Sequence, residues 1–111
     1  MFEITRHGAV DVISGREPLN GEATDTVAAL IDECCERGQP HVVLDLQHVP
    51  LIDSAGLETL LDSRDQCLAR TGSIHLAAPN RLCRDILHVT GVDSRFLVFD
   101  DVLSAVGSFA L

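Results

Sequence analysis

Apolar and polar residues alternate at the start of the chain: Phe2 and Ile4 are apolar, Glu3 and Thr5 polar, and after His7-Gly8 a second alternating run covers 10–14. Alternation with period two is the strand pattern, and a glycine turn between two such runs predicts an opening hairpin. Residues 15–21, GREPLNG, hold two glycines and a proline and read as loop, because proline removes a donor and glycine loosens the backbone. The period then changes. Val27, Leu30, Ile31 and Cys34 fall at i, i+3, i+4 and i+7 and predict a helix that Gly38 and Pro40 end. Residues 41–46, HVVLDL, form a nearly continuous apolar run with β-branched members, the pattern of a central strand covered on both faces.

After 47–52 comes Asp53-Ser54-Ala55-Gly56, and behind it Leu57, Leu60, Leu61 and Leu68 keep a helical spacing until Thr71-Gly72. Residues 73–77 predict the next strand. Asn80 can cap a third helix, with Leu82, Ile86 and Val89 expected to face inward before Gly91. Residues 96–99 read as a last strand, and Asp100 or Asp101 caps a short helix with Val102, Ala105, Val106 and Phe109 on one side. The order β-β-α-β-α-β-α-β-α predicts an α/β fold: a mixed β-sheet with right-handed crossovers and helices packed on it. Its 111 residues fit one domain, 1–111.

Composition supports a real core, at 46% hydrophobic and 23% charged residues. With 8 basic against 17 acidic residues the net charge is 8 − 17 = −9, and every basic residue is arginine. That balance disfavours nucleic acid and anionic lipid as partners, since both need clustered positive charge, and it suits a partner with a basic surface. The N-terminal residues lack the basic and apolar regions of a secretory signal, and nowhere do 18 apolar residues run together. The expectation is a soluble, cytoplasmic protein without a membrane segment. Cys34, Cys35, Cys67 and Cys83 show no C-x-x-C spacing and read as buried free thiols. The five histidines show no i, i+4 pair, so neither a metal nor a cofactor is expected.

Residues 42–57, VVLDLQHVPLIDSAGL, resemble the signature of the STAS family, in particular the anti-sigma-factor antagonists: a hydrophobic strand ending in Asp-Leu, a short loop, and Asp-Ser-x-Gly opening a helix. The resemblance runs over nearly the whole chain. Gly72-Ser73-Ile74-His75-Leu76 is similar to the family's glycine-then-strand step, and 102–106 to its terminal helix. It implies a non-enzymatic switch protein in which Ser54 is phosphorylated by a serine kinase that is also the anti-sigma factor, an ATPase of histidine-kinase-like fold. Unphosphorylated protein would bind that partner and release the sigma factor; phosphorylated protein would dissociate and be reset by a serine phosphatase. Asp53, Ala55, Gly56 and Glu17 would line the partner surface. The chain departs from the family where Gly-x-Leu-Asp is usual, since it reads Gly15-Arg16-Glu17-Pro18-Leu19. Glu17 stands in for the acid and Pro18 changes the loop.

The residues themselves leave alternatives. A helix N-terminus carries unpaired N–H groups and partial positive charge, so Ser54 reads either as a cap or as an anion site. Asp53 reads as a cap, as a group presenting Ser54, or as both. Gly56 lets another backbone come close, Leu57 reads as core, and Asp45 is placed to meet a nearby backbone N–H. An esterase-like reading of Asp53, Ser54 and a histidine fails because Asp-Ser-Ala-Gly is not the G-x-S-x-G elbow. An aspartyl-phosphate receiver, which relies on a lysine, fails because the chain has none. The remaining rival is a docking subunit of a stress-signalling scaffold or of a lipid-importing ABC transporter.

Overall fold

The computed structural model describes residues 1–110. The alternating start forms β1 (Glu3–His7) and β2 (Val10–Ser14), paired antiparallel with Ile4 opposite Ile13 and His7 opposite Val10. Then follow α1 (Thr24–Glu36), β3 (His41–Asp45), α2 (Ser54–Ala69), β4 (Ser73–Ala77) and α3 (Arg81–Val89). A 3-10 turn (Val92–Arg95), β5 (Val98–Phe99) and α4 (Val102–Gly107) close the order. The strands lie in one five-stranded sheet in the order β1-β2-β3-β4-β5, parallel from β2 onward. This is the expected mixed α/β sheet.

Period-two alternation sorts β3 and β4 onto two cores. Val42, Leu44, Ile74 and Leu76 join the main core with Val27 and Ile31 of α1, Leu60 and Cys67 of α2, and Cys83 and Leu87 of α3. Val43 and Ala77 point the other way and pack with Val10, Val12 and Ala105 beneath α4. Three crossover helices thus cover one face and the last helix covers the other, which explains why 41–46 reads as continuously apolar.

Three details depart from the sequence reading. In α3 it is Cys83 and Leu87 that face inward, while Leu82 and Val89 are 52% and 80% exposed. The helix is turned by about one residue, or ~100°, from the expected phase. Its cap sets that phase: Asn80 Oδ1 accepts from Cys83 N at 2.8 Å, Asn80 Nδ2 donates to the carbonyls of Val49 and Pro50, and Cys83 Sγ donates to Val49 O at 3.4 Å.

In α2 the inward side is Gly56, Thr59, Leu60, Ser63 and Cys67, with Leu68 exposed. Thr59 and Ser63 lie buried because their hydroxyls return to the carbonyls one turn back, at 3.0 and 2.7 Å. The last strand is shorter than 96–99: 92–95 coil into the 3-10 turn, Phe96 enters the core, and only Val98–Phe99 pair with β4. Asp101, accepting from Ser104 N at 2.7 Å, then starts α4.

Candidate functional site

The site is built where two connections meet. Leu19, in the middle of the polar loop after β2, is fully buried and forms a parallel bridge with Ile52. Leu19 N donates to Leu51 O at 3.0 Å, and Asp53 N donates to Leu19 O at 3.2 Å. A strand-like stitch therefore fixes the loop before α1 against the segment that opens α2. Asn20 shapes the rest of that loop, its Oδ1 accepting from Glu22 N at 3.0 Å and Ala23 N at 3.2 Å. This is an Asx turn that leads the chain into α1.

Asp53 is the N-cap of α2, in extended backbone, with Oδ1 accepting from Gly56 N at 2.9 Å. Ser54 is the first helical residue and is exposed. Because Asp53 supplies the capping oxygen, the cap does not consume the Ser54 hydroxyl. Ala55 is half-buried and lies 4.0 Å from where a Cβ on Gly21 would stand. Gly56 is buried, and a Cβ there would stand 2.0 Å from Leu19 O. The backbone that Gly56 admits is thus the chain's own, so this glycine holds the two connections together from beneath.

Asp53, Ser54, Ala55 and Gly56 form one group; Glu17 stands apart from it. It lies two residues before the Leu19 bridge, whereas Gly21, two residues after it, comes close to Ala55. Its carboxylate pairs with the Met1 amino group at 2.9 Å and lines a cleft of about 270 Å³ with Asn20 and Glu22. Exposed carboxylates stand on either side of Ser54 in the chain, at Asp53 and Glu58. Leu19 and Asn20 are the site-building residues that sequence reasoning passed over. The isolated apolar residue in a polar loop, and the asparagine three residues before Ala23, were the available signals. Asp45, at the end of β3, accepts from Gln47 N at 2.9 Å, as expected.

Other titratable groups serve packing. All four cysteines are free and buried. Burial, and then the Asp11 carboxylate, push the Cys34 thiol up to about 12; burial and then Cys35 push Cys67 up to about 12 as well. Asp11 itself, 3% exposed, lies between Arg37 at 2.9 Å and Arg6 at 3.3 Å and ties the hairpin to the end of α1.

On the opposite face His75 stacks on Phe109, with centroids 4.2 Å apart, and Phe109 also stacks on His41 at 5.0 Å. Ser108 Oγ donates to Ala105 O at 2.5 Å, so it accepts from His75 Nδ1 at 2.7 Å, and His75 Nε2 is hydrogen-bonded with Ser73 Oγ at 3.1 Å. Burial, followed by the neighbouring His41, lowers the His75 pKa and so favours the neutral ring. Among the described residues no group of three or more His, Cys, Asp or Glu is placed to hold a metal, and no helix is long and apolar enough to cross a membrane.

The arrangement is a small α/β domain whose most distinctive chemistry is a free serine hydroxyl at a capped helix N-terminus. The family model for the STAS domain matches residues 1–105; the chain belongs to the STAS family. No curated protein matches it by sequence. Among solved structures it is similar to an anti-sigma-factor antagonist (STAS) domain protein from Planctomyces limnophilus, at 21% identity and TM-score 0.84 over 99% of this chain and 98% of that one. The anti-sigma factor antagonist SpoIIAA in its unphosphorylated form matches at 17% identity and TM-score 0.82, covering 97% and 95%. A sulfate transporter family protein from Wolinella succinogenes matches at 19% and TM-score 0.80, covering 94% and 87%. At these identities the likeness is one of fold.

Proposed function

We propose that this protein is a non-catalytic, cytoplasmic anti-sigma-factor antagonist, switched off by phosphorylation of Ser54. Unphosphorylated, it binds an anti-sigma factor that is also a serine kinase of histidine-kinase-like ATPase fold, and the sigma factor is released. A serine phosphatase resets the phosphorylated form. The observation that carries this reading is the exposed Ser54 hydroxyl at the start of α2, left free because Asp53 supplies the cap. Asp53 and Ala55 meet the partner directly, Gly56 keeps the surface flat from below, and Glu17 forms an outlying acidic contact.

Phosphorylation adds about −1.5 to −2 charge and three acceptor oxygens next to the Asp53 carboxylate. The free helix N-terminus tolerates this. A docked partner does not, because a dianion buried beside Asp53 without a cation costs several kcal/mol. A loss of about 3 kcal/mol lowers affinity more than 100-fold, which switches the complex without refolding either partner. The test is incubation with native-cell lysate and ATP, phosphopeptide mapping by mass spectrometry, and Ser54→Ala alongside. Phosphate on Ser54, absent from the variant, is expected. No phosphate under conditions that modify another antagonist would overturn the switch and favour a constitutive docking subunit of a scaffold or transporter.

A further inference from the structure

Helix α3 has two apolar sides, and the core uses one. Cys83 and Leu87 point inward, while Leu82 and Val89 are exposed and Ile86 is half-buried between them. At about 100° per residue these three fall within ~60° of one another, roughly 110° away from the inward pair. Arg84, on the opposite flank, reaches Asp100 Oδ1 at 3.2 Å just past the edge strand β5. The apolar stripe therefore faces α2.

Leu57 and Leu61 of α2 are half-buried and, at i and i+4, share the side toward α3. α2 packs on the 3-10 turn rather than along α3, with Arg64 Nε donating to Arg95 O at 2.7 Å. A groove is left between the two helices, ending in a cleft of about 100 Å³ beside Leu61, Gly91 and Val92. Its other end opens toward Ser54. There Asn80 Nδ2 holds the carbonyls of Val49 and Pro50 at 3.2 and 3.3 Å, which brings Leu51, 39% exposed, beside the start of α3.

Contiguous exposed apolar side chains mark a docking surface where scattered ones do not. Charge selects the occupant. Glu58, Asp62 and Asp65 are exposed along α2, and Arg64 is engaged with Asp65 at 3.6 Å. A second copy of a chain of net charge −9 would set like charge against like. We infer that the α2–α3 groove docks an amphipathic helix of the partner protein, with aliphatic side chains in the groove and lysine or arginine along the edge that meets α2. This rests on the reading of the Ser54 end as a docking end, and it adds a continuous anchor that phosphorylation does not touch.

The probe is an 18-residue helix of leucine, alanine and lysine with leucine at i, i+3, i+4 and i+7, compared with its glutamate counterpart by fluorescence anisotropy. Saturable binding of the lysine peptide alone is expected, weakened about tenfold by Val89→Ser or Leu82→Ser, from loss of one aliphatic anchor. Leu103→Ser, on α4 and 78% exposed, is expected to leave it unchanged. Absence of saturable binding, equal binding of the glutamate peptide, or equal loss in Leu103→Ser would overturn the inference. So would a dimer in sedimentation equilibrium that Val89→Ser dissolves, which would assign the face to a second copy. Phosphate on Ser54 without groove binding refutes the groove alone; groove binding without phosphate refutes the switch alone.

Discussion

Helix propensity and packing make opposite predictions for Gly56→Ala, so the sign of the stability change decides between them. Gly56 lies in the first turn of α2, where replacing glycine by alanine gains about 1 kcal/mol on propensity alone. A Cβ there, however, would stand 2.0 Å from Leu19 O, 2.9 Å from Leu19 C and 3.0 Å from Ile52 Cγ2. Real Cβ atoms essentially never come closer than 3.0 Å, so the connections must part by at least 3.0 − 2.0 = 1.0 Å. A shift of that size breaks the bond from Asp53 N to Leu19 O, now 3.2 Å, and strains that from Leu19 N to Leu51 O, now 3.0 Å. Overpacking costs about 1–3 kcal/mol and each lost backbone bond about 0.5–1.5 kcal/mol. With the propensity gain subtracted, the net expectation is a loss of about 0.5–3.5 kcal/mol, centred near 2, or a fall in Tm of roughly 2–14 °C. Urea and thermal unfolding followed by far-UV circular dichroism measure it, with Gly107→Ala as control because nothing lies within 4 Å of its Cβ position. An unchanged or higher midpoint for Gly56→Ala would refute the stitch between Leu19 and the start of α2.

Two further outcomes concern groups away from that end. The His75 pKa is lowered in the folded state, first by burial and then by His41, so the unfolded chain binds more protons than the folded one as pH falls below the free value. Stability is therefore full above the unfolded pKa of about 6.5 and declines as pH drops below it toward the folded value. His75→Gln is expected to flatten the difference in Tm between pH 7.5 and pH 5.5 relative to the unmodified protein; parallel pH profiles would exclude His75 as the source. The Cys34 and Cys67 thiols, held near 12 by burial, are expected to resist an aromatic disulfide reagent at pH 8 and to react on unfolding in urea. Rapid labelling of either cysteine in the native protein would contradict this.

What the sequence made legible was the part of the fold governed by local period and punctuation. Strand alternation, the glycine and proline breaks and the Asn80 cap have local causes and stand where the pattern put them, while at the last helix the structure chooses Asp101 from the two aspartates the pattern offered. The phase of α3 was not legible, because Leu82, Ile86 and Val89 make as good an apolar side as Cys83 and Leu87. The choice between them is made by Asn80 gripping carbonyls about 30 residues away. Leu19 was missed for the same kind of reason: its burial comes from a single long-range bridge to Ile52, which no window of neighbouring residues contains. At the candidate site the motif located Ser54, but it could not say whether Asp53 or Ser54 supplied the cap.

That distinction bears on how a switch at Ser54 would work. Leu57 N bonds to Asp53 O and Gly56 N to Asp53 Oδ1, both at 2.9 Å, which leaves the amides of Ser54 and Ala55 as the donors at the helix end. A phosphate on Ser54 would sit over those amides in the favourable field of the helix terminus, so the free protein has no reason to rearrange. Its cost would fall on the complex, where the same charge has to be enclosed beside Asp53. If so, amide chemical shifts in the phosphorylated protein change around 53–57 and in the 19–22 loop stitched to them, and not in α4 on the far face. Shifts spread through α4 would mean instead that the phosphate acts by altering the fold.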